Sequence, residues 1–89
     1  MPVRMGPERA EILGLEALGW LAGEPEGLER LFAASGLDLA ALKEAAGDRE
    51  LRRAVVEFLL SQEDLLLRFC EEKSIPPLDV HAAAHFLEN

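Results

Sequence analysis

Two histidines four residues apart, His81 and His85, are the residues whose types and spacing most directly suggest chemistry. On a helix they share one face, where a divalent metal ion could bridge them. Glu88 continues the same stripe as a third candidate ligand. Position 82 is Ala, so the glutamate of a His-Glu-x-x-His protease site is missing. The helical projection sets His81, His85 and Glu88 opposite Val80, Ala84 and Leu87, on the wet side. Histidines also suit the negative end of a helix dipole. We therefore read them as exposed helix-end residues, with metal binding or sensing as the alternative.

Nucleophiles fare less well. Cys70 is the only cysteine, so the chain forms no internal disulfide and no multi-thiolate metal site. Its setting, Leu65-Leu66-Leu67-Arg68-Phe69-Cys70, predicts a small packed thiol without a histidine partner. Ser35, Ser61 and Ser74 each fall where a helix starts or stops, and no Gly-rich phosphate loop is present. The expectation is a protein that is not an enzyme and takes no cofactor.

Charge narrows the partners. Seventeen acidic against nine basic residues give a net charge of −8, and both halves of the chain are acidic. Such a field repels nucleic acid and anionic membrane surfaces, and favours neutral or basic protein partners. Arg49, Arg52 and Arg53 form one positive cluster, flanked by Asp48, Glu50 and Glu57, and are expected to be a solvated helix face. The segment Leu39 to Ala46 after the Gly36 turn has helix-turn-helix spacing but offers base edges only Lys43 and Glu44. The first residues lack an apolar signal-peptide core, and no uncharged run approaches the ~20 residues of a membrane span. A cytoplasmic protein, monomeric or weakly dimeric, is expected.

The elements that position these residues are helical. Leu and Ala make up 30 of 89 residues, Val and Ile together number six, and Thr and Tyr are absent. Strand-favouring residues are thus nearly missing. The expected fold is all-α: a compact orthogonal bundle of about six short helices, forming a single domain over residues 7–89 after a flexible lead-in at 1–6. Pro7 opens a first helix that stops at Gly23, and Pro25 opens a second that stops at Ser35-Gly36. Asp38 caps a third, Leu39 to Ala46, and Asp48 caps a fourth that runs to about Leu60. Ser61-Gln62-Glu63-Asp64 has capping-box spacing for a fifth helix, to about Lys73. Ile75-Pro76-Pro77 is an extended connector, and Pro77 starts a sixth helix reaching Leu87.

The first helix carries Ile12, Leu15, Gly19 and Ala22 on one side and Leu13, Ala17, Trp20 and Leu21 on another. A helix apolar nearly all round is expected at the centre of the domain or in an oligomer interface, with Trp20 largely buried. In the fifth helix Leu65, Leu66, Phe69 and Cys70 face the core. Leu67 projects outward among Asp64, Arg68 and Glu71, as an ordinary exposed Leu or as the anchor of a small interaction surface. Trp20 to Glu26 also lines up with Phe58 to Asp64, suggesting two similar three-helix units, although Leu-rich helices can match by chance.

The runs Ala17-Leu18-Gly19-Trp20-Leu21-Ala22 and Leu31-Phe32-x-x-Ser35-Gly36-Leu37 carry a resemblance. So do Ala46-Gly47-Asp48, Val56-x-Phe58-Leu59-Leu60, Leu65-Leu66 and Pro76-Pro77. The chain resembles, from about Glu8 to Leu87, a family of small alphaproteobacterial proteins known as a domain of unknown function. It departs from that family near its end, where the family is usually Ala-rich without a histidine pair and this chain carries His81 and His85. The resemblance implies a compact all-helical bacterial protein and carries over no activity and no catalytic residue. The function expected from the sequence is a protein–protein interaction or adaptor module acting through a helical surface.

Overall fold

The computed structural model describes residues 5–88. Six helices follow one another: α1 (Pro7–Ala22), α2 (Pro25–Ser35), α3 (Leu39–Glu44), α4 (Arg49–Ser61), α5 (Glu63–Lys73) and α6 (Pro77–Leu87). No strand occurs among the described residues, and the fold is an all-α bundle. Of the expected lead-in, residues 1–4 lie outside the described residues, and Met5 already packs against the core.

Local chemistry sets most helix ends. Prolines open α1, α2 and α6, where the missing N–H has no intrahelical partner to lose. The Asp38 carboxylate accepts from the Ala41 N–H at 2.8 Å, and that of Asp48 from the Glu50 N–H at 3.0 Å. Gly36 closes α2 in the left-handed region at φ 78°, where a Cβ would be strained. The expected capping box at Ser61 does not form. The Ser61 hydroxyl donates instead to the Phe58 carbonyl at 2.6 Å, inside the last turn of α4, and Gln62 takes the cap position without a side-chain bond. α3 ends at Glu44 rather than Ala46, because the chain tightens into a turn in which Asp48 N–H reaches the Ala45 carbonyl at 2.7 Å.

α1, α4 and α6 pack on one another and form the centre, with α2 laid against α1 and α5 against α4. One core joins Leu13, Ala17 and Leu21 of α1 to Val55, Val56 and Leu59 of α4, to Leu65 and Phe69 of α5, and to Val80 and Ala83 of α6. Trp20 is 8% exposed, as expected. Its ring meets Phe69 edge-on at 5.5 Å, and its indole N–H donates to Glu72 Oε1 at 3.2 Å. A buried indole thus keeps its donor satisfied.

The structure sharpens one expectation and corrects another. α1 is central but is not enclosed all round: Ile12 is 44% and Leu15 48% exposed. The two halves also pack unequally. α6 has eleven residues and lies against both α1 and α4, whereas α3, its counterpart, has six and buries only Leu42. Six residues are too few to carry an apolar stripe across a neighbouring helix.

Candidate functional site

The histidine stripe does not assemble a ligand set. His81 and His85 are exposed on α6, and the His85 ring sits edge-on to Phe86 at 5.8 Å. Glu88 lies past the helix end and lines a cavity of about 260 Å³ at the start of α4, with Asp48, Arg49, Glu50, Arg53 and Leu87. Among the described residues no three His, Cys, Asp or Glu side chains are grouped to hold a metal ion.

The arginine cluster is less solvated than its sequence implies. The Arg52 side chain is 13% exposed and donates to Glu11 of α1 at 3.0 Å, while its Cβ lies 3.0 Å from where a Cβ on Gly14 would sit. Arg49 donates to the Phe86 carbonyl at 2.8 Å, close to the end of α6. Arg53 stands 3.5 Å from Glu57, too poorly aligned to satisfy its Nε. Arg52 braces α4 against α1 and Arg49 braces it against α6, while Arg53 stays on α4.

The surface expected around Leu67 is present only in part. Leu67 is 50% exposed, and Asp64, Arg68 and Glu71 are exposed around it. Two of those charges already serve the fold. Asp64 takes both its oxygens to Arg30 of α2 at 2.9 and 3.0 Å, and Arg68 donates to Glu24 at 2.7 Å. The Arg30 hydrogen bonds hold the Asp64 carboxyl below the usual aspartate range. Leu67 is a single apolar side chain among engaged charges.

Sequence reasoning missed a larger feature, a groove of about 340 Å³ between α1 and α3. Leu15, Leu18, Gly19 and Ala22 form one wall, and Leu39, Leu42 and Ala46 the other. Lys43 is the one charged residue lining it. Ile12 extends the apolar stripe by a turn of α1, and Leu39, on the α3 wall, is 50% exposed. The signal was the second apolar stripe of α1, read from the sequence as buried in the domain or lying in an oligomer interface.

Glycines separate the groove from the packed side of the same helix. A Cβ on Gly14 would press on Arg52, and one on Gly27 would meet Leu21 Cδ1 at 2.8 Å, so both glycines permit close helix packing. A Cβ on Gly19 would meet nothing within 4 Å. Glycine inside a helix costs ~0.5–1 kcal/mol relative to alanine, and no contact within this molecule offsets that at position 19.

The family described as a protein of unknown function, DUF3572, matches residues 7–89. The chain belongs to that family. No curated protein and no solved structure matches it. The DUF3572 match spans all six helices, so both walls of the groove lie within it. No helix among the described residues is long and apolar enough to cross a membrane.

Catalytic groups do not converge on the groove. The Ser35 hydroxyl donates to the Leu31 carbonyl and accepts from the Leu37 N–H, and Ser61 is held by Phe58. Burial pushes the Cys70 thiol up, and the Asp79 charge adds to the shift, so it is a poor nucleophile. What the groove offers is apolar surface.

Proposed function

We infer that this chain is a non-catalytic interaction module that engages a protein partner through the α1–α3 groove. The observation that carries the reading is the exposed apolar face formed by Ile12, Leu15 and Leu39 around an open groove. Large side chains grouped on a surface cost solubility unless a partner covers them, whereas a lone exposed leucine such as Leu67 needs no explanation. Partner charge follows from the ion pairs. Arg9, Arg30, Arg52, Arg53 and Arg68 are all paired to carboxylates within the chain. The remaining acidic excess faces outward and favours a neutral or basic partner. The single thiol Cys70, buried and free, fits a cytoplasmic setting.

Photo-crosslinking in the cells that make the protein tests this reading. A benzophenone side chain at position 15 is expected to give a protein adduct, and one at position 67 none. Adducts from position 67 alone, or from neither position, overturn it.

A further inference from the structure

We propose that the α1–α3 groove receives one amphipathic helix with basic flanks, supplied by a different protein, and that a bulky apolar residue of that helix seats over Gly19. The proposal deepens the interaction-module reading and rests on it. Its starting point is the contrast among the glycines. Gly14 and Gly27 are occupied from within the molecule, Arg52 and Leu21 lying where their side chains would be. The space above Gly19 is vacant, and its backbone is ordinary helix that any residue adopts. A missing side chain on an apolar wall leaves room for one from elsewhere.

Dimensions favour a helix as the occupant. From Ile12 to Ala22 the open stripe runs ~15 Å along α1 at the usual helical rise. Apolar anchors at i, i+3 or i+4, and i+7 span ~10 Å, which fits within it. The groove, at about 340 Å³, lies near the lower end of small-molecule pockets and stays open along its length. A free small ligand would leave much of its own surface wet there, whereas a helix covers the opening with its own body.

Charge selects the kind of helix. Glu8 lies one turn before Ile12 on the same stripe, and Glu44 follows Lys43 on α3. Both are exposed, and neither takes part in an ion pair among the described residues. They call for lysine or arginine on the partner's flanks, with a neutral or acidic residue where it passes Lys43. A second copy of the chain would bring a further net charge of −8 and is disfavoured.

A fluorescent synthetic peptide of about 18 residues, with leucines at i, i+3, i+4 and i+7, alanines between them and lysines on both flanks, is the probe. Two controls accompany it: the same lysines and leucines scrambled, and the leucine pattern with glutamates in place of the lysines. Anisotropy titration is expected to show saturable binding of the patterned basic peptide, with each control at least about tenfold weaker at low salt. Gly19→Leu fills the vacancy and is expected to weaken binding at least about tenfold while the melting temperature holds or rises. Leu15→Ser should weaken it too, and Leu67→Glu should not. Equal binding of the scrambled peptide, or full affinity in Gly19→Leu, overturns the proposal. So does sedimentation showing wild-type dimers that Gly19→Leu dissociates, which would make a second copy the occupant. If no peptide binds while position 15 still crosslinks a protein in cells, the helix proposal falls and the module reading stands. Failure of both removes both.

Discussion

The two apolar faces of α1 are alike in composition and differ in what covers them. Leu13, Ala17, Trp20 and Leu21 face a sealed interior in which α4 and α6 supply Val55, Val56, Val80 and Ala83. Leu15, Gly19 and Ala22 face α3, which buries only Leu42 and leaves a groove. The covering elements also differ in how they are fastened. Arg52 of α4 pairs with Glu11 of α1, and Arg30 ties α2 to Asp64 of α5. No residue of α3 joins an ion pair among the described residues. Burial of an apolar stripe therefore depends on a neighbour long enough to lie along it, and only one side of α1 has such neighbours.

The largest expected effect is on the sealed side. Trp20→Ala removes an indole that packs on Phe69 and hydrogen-bonds Glu72. It should cost ~3–5 kcal/mol, out of a total of about 4–13 kcal/mol for a chain of this length. Urea unfolding at neutral pH measures it, and a wild-type midpoint would erase the distinction between the two faces. A sharper comparison uses one substitution twice. Gly14→Ala places a Cβ 3.0 Å from the Arg52 Cβ, an atom fixed to the α4 backbone that cannot swing aside. The overpacking should exceed the gain in helix propensity and leave the variant ~1 kcal/mol less stable. Gly19→Ala meets no neighbour and should be ~0.5–1 kcal/mol more stable. Opposite signs five residues apart would separate packed from open; equal signs would mean that α3 closes over Gly19 in solution.

This boundary also marks how far the sequence could be read. Caps and breakers are local, so Pro7, Pro25, Asp38, Asp48 and Pro77 placed their helices without knowledge of the fold. The inward stripes of α4 and α5 were legible because each has a charged opposite face. α1 stayed open between the centre of the domain and an oligomer interface for the converse reason: with two apolar stripes, its periodicity carries no information about which one is covered. The answer lies in the length of α3, set by a turn at Ala45 to Asp48 that competes with continued helix. The histidine stripe failed on a similar point. Spacing aligned His81, His85 and Glu88, but among the described residues no three such side chains group to hold a metal ion, and Glu88, at the cap of α6, lines the cavity at the start of α4. At Leu67 exposure was legible, while the capture of Asp64 and Arg68 by α2 and Glu24 depends on contacts more than thirty residues away in sequence.

Leu15→Ser and Leu39→Ser probe the open face directly. Each side chain is about half exposed, so each substitution should shift stability by no more than ~0.5 kcal/mol. Loss of more than that in urea unfolding would place these residues in a working core and close the groove.

The smallest effect concerns how the sealed half is fastened, and it is readable through pH. Asp64 accepts both its hydrogen bonds from Arg30, and these hold its carboxyl below the ordinary aspartate value in the folded protein. A carboxyl whose folded value is depressed contributes stability above its unfolded value and loses it as pH falls through the folded one. The pair is solvent-exposed and therefore screened, so the contribution is small and should shrink with added salt. Wild type is expected to exceed Asp64→Asn slightly in urea midpoint at neutral pH. The two midpoints should converge as pH drops through and below the aspartate range, where the wild-type carboxyl also becomes neutral. A gap between Asp64→Asn and wild type that persists unchanged in acid would mean that Asp64 acts through packing rather than charge. The ion-pair contrast between the two sides of α1 would then rest on Arg52 and Glu11 alone.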